Sequence, residues 1–190
     1  MPTWMVVEDE PDIYDVLLAM FEIWGIEGVA FVDGGEAVSW VDGVDHGRVR
    51  GELPELAILD IRLPEVTGPE VGSRLRRSPI LGNIAIVLIT AYHMSPEEET
   101  EAIQTAGADL LLYKPLPGMT ELRQKMDGVI TKHQQLKAAA AAAASGSGNG
   151  SAPPAPEAPP APPESPDAPP ASAPDQPPSE KPGPAEEQST

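Results

Sequence analysis

The sequence predicts an α/β fold, a doubly wound parallel sheet of five strands covered by five helices. Short, unbroken apolar runs alternate five times with longer segments whose apolar residues recur at helical spacing. The runs are short and continuously apolar, as in strands that are buried on both faces, and those in the middle of the chain end in polar residues. Such alternation is typical of parallel strands joined by crossover helices.

The third apolar run, residues 56–60, is the one on which the functional interpretation depends. Four apolar residues lead directly into Asp60, and Pro64 cannot continue a central strand. Because ligand sites of parallel sheets lie beyond the carboxyl ends of the strands, Asp60 is predicted to lie at such a site. The alternative is that Asp60 only caps the loop, since Asp is a common turn residue.

Two strand–helix units precede this run. A strand over residues 4–7 leads through an acidic stretch to Pro11, which suits the first turn of a helix because its missing N–H costs nothing there. Gly25 ends that helix. A second strand is predicted over residues 29–32, and a second helix over residues 36–44.

Three helices and two strands follow the third strand. The pattern predicts a helix over residues 68–77, a strand over 84–89, a helix from Ser95 to Gly107, a strand over 109–113 and a helix from about Met119. Right-handed crossovers leave few topologies for five parallel strands, and the flavodoxin-like order 2-1-3-4-5 is the natural one.

Composition divides the chain into three parts. A globular domain is predicted over residues 1–137, and an Ala-rich extension of the last helix over residues 138–144. Residues 145–190 are predicted to form a Gly/Ser linker and an acidic, disordered tail, because 15 of the 24 prolines lie between positions 153 and 184.

Charge and composition exclude several classes of function. The net charge of -18 repels phosphate backbones, so nucleic acid is not an expected partner. The chain has no cysteine, which excludes a disulfide framework and a thiolate nucleophile. No apolar run reaches 18 residues and no signal-peptide pattern is present, so we expect no membrane association and a cytoplasmic location.

Polar residues follow the strands that line the predicted central crevice. Glu8 and Asp9 follow the first strand, Asp60 ends the third, Thr90 follows the fourth and Lys114 the fifth. Carboxylates gathered at one sheet edge need a cation, and Mg²⁺ is the hard ion that binds one or two carboxylates and then phosphate oxygens. The chemistry that fits this set of residues is phosphoryl transfer onto an aspartate.

Each of these residues also has a purely structural interpretation. Asp9 lies before Pro11 and could act only as a helix cap, Thr90 could bond its own loop, and Lys114 could be a solvated loop lysine. The occurrence of all of them at correctly ordered strand ends favours a functional site.

The motifs resemble the receiver domains of two-component response regulators over roughly residues 3–133. They are Val7-Glu8-Asp9-Glu10-Pro11, Asp60-Ile61-Arg62-Leu63-Pro64 with Gly68, Thr90-Ala91, Gly107-Ala108-Asp109 and Lys114-Pro115. The resemblance implies that Asp60 is the phosphoacceptor and that a sensor histidine kinase or a phosphotransfer protein is the donor. It also implies that Thr90 and Lys114 contact the phosphoryl group.

The resemblance further implies a set of metal ligands. Asp9, Asp60 and the backbone carbonyl of Arg62 would bind Mg²⁺, and Glu8 would act through a water molecule. Two positions depart from the family pattern: Leu111 stands where the family has a Tyr or Phe three residues before the lysine, and Leu116 replaces a common Phe. Tyr113 faces the same side of the strand as Leu111 by alternation, and it is the candidate substitute for the switch aromatic.

Two further positions bear on how long a phosphoryl group would persist. In the family, residues two positions after the acceptor and after the threonine flank the path of the attacking water, and here they are Arg62 and Tyr92. Neither can orient a water as a carboxylate or amide could, so slow self-dephosphorylation is expected.

No second domain is predicted, so the expected output is contact with a downstream protein. An apolar stripe continues along the last helix past residue 133 and indicates a solvated extension, or alternatively a weak homodimer. His133 lies on this stripe and is interpreted as a surface or seam residue.

The competing hypotheses are a degenerate receiver that binds partners without phosphorylation, and an aspartyl phosphatase, whose usual second acid is replaced by Arg62.

Overall fold

The computed structural model describes residues 1–145 and contains one five-stranded parallel sheet with strand order β2-β1-β3-β4-β5. The strands are β1 Thr3–Val7, β2 Glu27–Phe31, β3 Leu56–Asp60, β4 Ala85–Thr90 and β5 Leu110–Tyr113. The helices are α1 Pro11–Trp24, α2 Gly34–Asp45, α3 Gly68–Arg77, α4 Pro96–Ala106 and α5 Met119–Ser145. The predicted fold class, strand order and extended last helix are confirmed.

Helices cover both faces of the sheet. Helices α1 and α5 pack on one face through residues such as Phe21 and Met126, and α2, α3 and α4 pack on the other through residues such as Val41 and Leu75. Every residue of β1, β3 and β4 is buried, as expected for central strands that are covered on both sides.

Strand β2 begins two residues earlier than the predicted start at residue 29. Its register pairs Glu27 with Thr3 and Phe31 with Val7, so the full length of β1 has a partner. Backbone pairing at this sheet edge therefore includes Glu27 and Gly28, which are both exposed and give no apolar strand signal in the sequence. Helix α2 likewise begins earlier than predicted, at Gly34, since Asp33 caps it by accepting a hydrogen bond from the backbone N–H of Glu36 at 2.7 Å.

Local signals define the ends of α3 and α4. Ser95 and Glu98 form a capping box at the start of α4, and Thr67 and Glu70 form another at the start of α3. Gly107 ends α4 in the left-handed conformation that glycine adopts without strain. These caps fix where the loops after β3 and β4 enter their helices, and both loops contribute to the site described below.

Helix α5 is continuous from Met119 to Ser145, so the predicted boundary between residues 137 and 138 lies inside it. Leu122, Met126 and Ile130 are buried against the sheet, as the apolar stripe predicts. His133 contacts Asp109 and the carbonyl of Asn83 through its two ring nitrogens. The predicted linker and tail lie outside the described residues, apart from Ser145. Within residues 1–145, no helix is long and apolar enough to cross a membrane.

Candidate phosphoacceptor site

The parallel topology brings the polar residues at the strand ends together. Asp60 and Thr90 are the last residues of the neighbouring strands β3 and β4. Glu8 directly follows β1 on one side, and Lys114 directly follows β5 on the other. Because all five strands run in the same direction, these side chains lie at one edge of the sheet.

Lys114 is the centre of the site. Its ammonium nitrogen lies 2.9 Å from Oδ1 of Asp60, 2.8 Å from Oε2 of Glu8 and 2.9 Å from Oε1 of Glu10. Burial acts to lower the pKa of Lys114, but the hydrogen bonds to these three carboxylates outweigh burial and raise that pKa above its ordinary value. Lys114 is therefore a permanent cation among acidic groups.

Glu8 is completely buried, which is unusual for a carboxylate. Its Oε1 atom accepts hydrogen bonds from the Lys114 ammonium and from the backbone N–H of Glu10. Its Oε2 atom has the ammonium beside it as an ion pair but has no hydrogen-bond partner. Burial raises the pKa of Glu8, so its charge depends on a nearby cation.

The Asp60 carboxylate is held at both oxygens. The side chain of Asp60 is nearly buried, and its Oδ2 atom accepts a 2.6 Å hydrogen bond from the backbone N–H of Arg62. Its Oδ1 atom is the one that contacts Lys114. The loop also passes very close to the start of α3: a Cβ atom at Gly68 would lie 2.0 Å from the Asp60 carbonyl oxygen.

Asp9 is exposed, and within residues 1–145 its carboxylate has no hydrogen bond or ion pair. The same residues contain no preassembled group of three acidic or imidazole side chains that could hold a metal ion. The donor chemistry nevertheless suits Mg²⁺, because Glu8 has a buried oxygen without a hydrogen-bond donor and Asp60 lies beside it on the same lysine. Lys114 provides the positive charge between these two carboxylates.

Thr90 is almost completely buried and links two site loops. Its hydroxyl oxygen accepts a 3.2 Å hydrogen bond from the backbone N–H of Tyr92. Its carbonyl oxygen accepts a 2.7 Å hydrogen bond from the backbone N–H of Lys114. A displacement of Thr90 would therefore shift both the loop after β4 and the backbone of Lys114.

Arg62 and Tyr92 lie in the loops that follow Asp60 and Thr90. The guanidinium group of Arg62 stacks on the Tyr92 ring, and both side chains line a cavity of about 350 Å³ beside Thr90. The cavity is bounded by residues of α3 and α4 and by the loops after β3 and β4. The family resemblance implies that Arg62 and Tyr92 flank the candidate acceptor Asp60, but their contact with each other was not predicted.

The two candidate switch positions differ in their surroundings. Leu111 packs against the core between the sheet and helices α2 to α4. Tyr113 points to the same side and donates a hydrogen bond from its hydroxyl to Glu99 of α4, which raises the pKa of Tyr113. The ring of His93 stacks on Tyr113 with the ring centroids 6.1 Å apart. Tyr113 thus connects the loop after Thr90 to helix α4.

Sequence reasoning missed Glu10, which shares Lys114 with Asp60 and Glu8. Its position directly after the two predicted acidic residues was the only sequence signal, and it does not distinguish Glu10 from Asp9 as the contact of Lys114. His93 and Glu99 were also missed as partners of Tyr113, because nothing in the sequence indicates that they would be neighbours.

Comparison with known proteins identifies the family of the domain. The sequence model described as the response regulator receiver domain matches residues 4–127. The polar-differentiation response regulator DivK of Brucella anthropi is 30% identical over 112 residues, which cover 59% of this chain and 83% of DivK.

Two solved structures have the same fold. A CheY-like response regulator receiver domain protein from Methanospirillum hungatei JF-1 matches with a TM-score of 0.59 and 21% identity, over 71% of this chain and 98% of that chain. The receiver domain of the sensor histidine kinase PA1611 from Pseudomonas aeruginosa PAO1 matches with a TM-score of 0.57 and 23% identity, over 68% of this chain and 98% of that chain. That structure holds a magnesium ion in its active-site cleft.

The fold and the sequence match together define a signalling domain of two-component systems. The chain belongs to the response regulator receiver domain family. Receiver domains are phosphoacceptors rather than typical enzymes, and they interact with histidine kinases and with downstream targets.

Proposed function

We propose that the chain is a stand-alone response regulator receiver that takes a phosphoryl group onto Asp60 and signals by protein–protein contact. The observation that carries this proposal is the position of the Lys114 ammonium, 2.9 Å from the Asp60 carboxylate at the carboxyl end of the sheet. A nearly buried carboxylate beside a permanent cation is a nucleophile prepared to receive an anionic group.

The transfer is proposed to take place at the Asp60 carboxylate. A phosphohistidine of a histidine kinase, or of a phosphotransfer protein, is the proposed donor: an Asp60 oxygen forms a bond to phosphorus while the phosphorus–nitrogen bond breaks, and the imidazole leaves. The Arg62 backbone N–H orients the Asp60 carboxylate. Lys114 pairs with a phosphoryl oxygen, and the hydroxyl of Thr90 donates to another.

Mg²⁺ is the proposed cofactor. Asp9, Asp60 and the Arg62 backbone carbonyl would hold it, with Glu8 acting through a water molecule. When bound, Mg²⁺ offsets the negative charge of the phosphoryl oxygens. The buried Oε2 atom of Glu8, which is ion-paired with Lys114 but accepts no hydrogen bond, supports this assignment, since a magnesium-bound water can donate that hydrogen bond.

Output is proposed to pass from Thr90 to Tyr113 and helix α4. The loop that follows Thr90 contains His93, which stacks on Tyr113, and the hydroxyl of Tyr113 donates a hydrogen bond to Glu99. Tyr113 would thereby act as the switch aromatic, in place of the Tyr or Phe that the family usually has where this chain has Leu111. A downstream protein in the cytoplasm would recognise the changed surface; a weak homodimer through α5 remains a separate hypothesis.

Intact mass measurement tests the proposal. The full chain is incubated with a small-molecule phosphodonor and Mg²⁺, and a sample with a chelator in place of Mg²⁺ is the control. We expect a stable adduct of one phosphoryl group that depends on Mg²⁺. No adduct would instead support a degenerate receiver, and steady release of phosphate over many turnovers would support a phosphatase.

A further inference from the structure

Glu10 is the most exposed of the carboxylates that contact Lys114. Its Oε1 atom lies 2.9 Å from the Lys114 ammonium, and 57% of its side chain is exposed. The side chains of Glu8 and Asp60 are 0% and 7% exposed. The three contacts therefore have very different surroundings, although they share one cation.

The three carboxylates equal in number the hydrogen-bond donors of the Lys114 ammonium group. An ammonium group has three N–H donors, and Glu8, Glu10 and Asp60 each lie within hydrogen-bonding distance of it. Binding an oxygen of an incoming phosphoryl group requires that Lys114 give up one of these partners. Glu8 is costly to release because a buried carboxylate would lose its cation. Glu10 is cheap to release because water replaces the lost contact.

We propose that Glu10 is a positioning residue that holds the third N–H of Lys114 until a phosphoryl oxygen takes it. Glu10 competes with the phosphoryl group for the same donor, so it slows phosphoryl uptake and weakens binding of phosphoryl analogues. This inference rests on the proposed function of Asp60 and Lys114. It adds that Glu10 sets how fast Asp60 takes up a phosphoryl group and how tightly the site binds a phosphoryl analogue.

Binding of beryllofluoride, a phosphoryl analogue, tests the inference in the full chain. Affinity is measured by fluorine NMR at saturating Mg²⁺ for the parent and for Glu10→Gln, which keeps the size of the side chain but removes its charge. We expect about threefold to fivefold tighter binding in Glu10→Gln, the scale of one exposed ion pair. The rate of phosphoryl uptake from a small donor should rise by a similar factor.

Two further variants separate the contact of Glu10 with Lys114 from a general effect of removing negative charge. Asp12→Asn removes an exposed carboxylate on α1 that has no hydrogen bond or ion pair with any of residues 1–145, and we expect parent-like binding. Glu10→Asp keeps the charge but shortens the reach to Lys114, and we expect it to resemble Glu10→Gln.

The outcomes distinguish failure of the Glu10 role from failure of the proposed phosphoacceptor function. Equal gains in Glu10→Gln and Asp12→Asn, parent-like binding in Glu10→Gln, or parent-like binding in Glu10→Asp would each overturn the role of Glu10 while the acceptor site stands. A parent chain that binds no beryllofluoride and forms no phosphoryl adduct would overturn the proposed function, and the inference with it.

Discussion

The guanidinium carbon of Arg62 lies 3.6 Å from the centroid of the Tyr92 ring. This cation–π contact joins the loop after β3, which follows Asp60, to the loop after β4, which follows Thr90. Within residues 1–145, the Arg62 side chain makes no hydrogen bond to the Asp60 carboxylate, which is bonded by the Arg62 backbone instead. The stacked pair therefore links the two loops that follow Asp60 and Thr90.

The first prediction concerns the lifetime of the phosphoryl group. Neither Arg62 nor Tyr92 can orient an attacking water as a general base, so the parent adduct should persist for minutes or longer. Arg62→Asn combined with Tyr92→Glu should shorten its lifetime by at least about tenfold, since a positioned base typically contributes more than that. Loss of the adduct mass over time measures the effect.

A conservative pair provides the matched control. Arg62→Lys with Tyr92→Phe keeps a cation and an aromatic ring at these positions, and its adduct should decay at the rate of the parent. If the adduct of the Arg62→Asn, Tyr92→Glu variant lasts as long as the parent adduct, this role of the two residues is refuted. A parent adduct that decays within seconds would refute it as well.

The second prediction concerns Asp9, which is exposed and has no bonding partner among residues 1–145. Asp9→Ala should lower Mg²⁺ affinity by at least about tenfold, because Mg²⁺ is usually held by only one or two protein carboxylates. Phosphoryl uptake should slow in parallel. Asp12→Asn is the control for charge alone. Magnesium titration curves that coincide for the parent and Asp9→Ala would show that the metal ligands are wrongly assigned.

The third prediction concerns stability and pH. Burial raises the pKa of Glu8 above its ordinary value of 4.5, so the folded protein holds that proton more tightly than the unfolded chain does. The contribution of Glu8 to stability is therefore full below pH 4.5 and is lost as the pH rises through the folded-state pKa.

Glu8→Gln should accordingly be more stable than the parent at pH 7. A gain of about 1 kcal/mol would raise the Tm by roughly 2–4 °C for a chain of this length. The difference should shrink as the pH falls towards 4, where Glu8 is protonated in the parent. Thermal unfolding in a chelator gives the comparison without metal, and a Glu8→Gln variant less stable than the parent at pH 7 would contradict it.

The fourth prediction concerns the acceptor loop. A Cβ atom at Gly68 would lie 2.0 Å from the carbonyl oxygen of Asp60, so Gly68→Ala must displace the backbone at Asp60. We expect a loss of about 1–3 kcal/mol of stability and a severe loss of phosphoryl uptake.

Gly128→Ala is the matched control for Gly68→Ala. Gly128 lies on the exposed side of α5, where a Cβ atom would have no neighbour within 4 Å. This variant should gain up to about 1 kcal/mol of stability, because alanine favours a helix, and it should accept phosphoryl groups as the parent does. Equal effects of the two substitutions on phosphoryl uptake would show that the close contact at Gly68 is unimportant.

The fold was predictable because its signals are local. Buried strands such as β3 and β4 are apolar up to their last residue, and the Ser95 and Gly107 caps lie at the ends of a clearly bounded helix. The positions of Asp60, Thr90 and Lys114 at one sheet edge followed from parallel topology alone.

The missing details depend on side-chain contacts between distant parts of the chain. Lys114 and Glu10 are 104 residues apart, and no sequence pattern indicates that Glu10 rather than Asp9 contacts the lysine. The stacking of Arg62 on Tyr92 depends on how two loops approach each other. The early start of β2 at Glu27 is set by pairing with β1, which overrides the weak strand propensity of Glu27 and Gly28.

The central claim is that Asp60 is the phosphoacceptor, and intact mass measurement of Asp60→Asn tests it most directly. Asparagine keeps the shape of the side chain and removes the nucleophilic carboxylate, so the variant should fold as the parent does, by circular dichroism and thermal unfolding. Incubated with a small phosphodonor and Mg²⁺, the parent should gain the mass of one phosphoryl group and Asp60→Asn should gain none. A folded Asp60→Asn variant that gains the same mass would contradict the account.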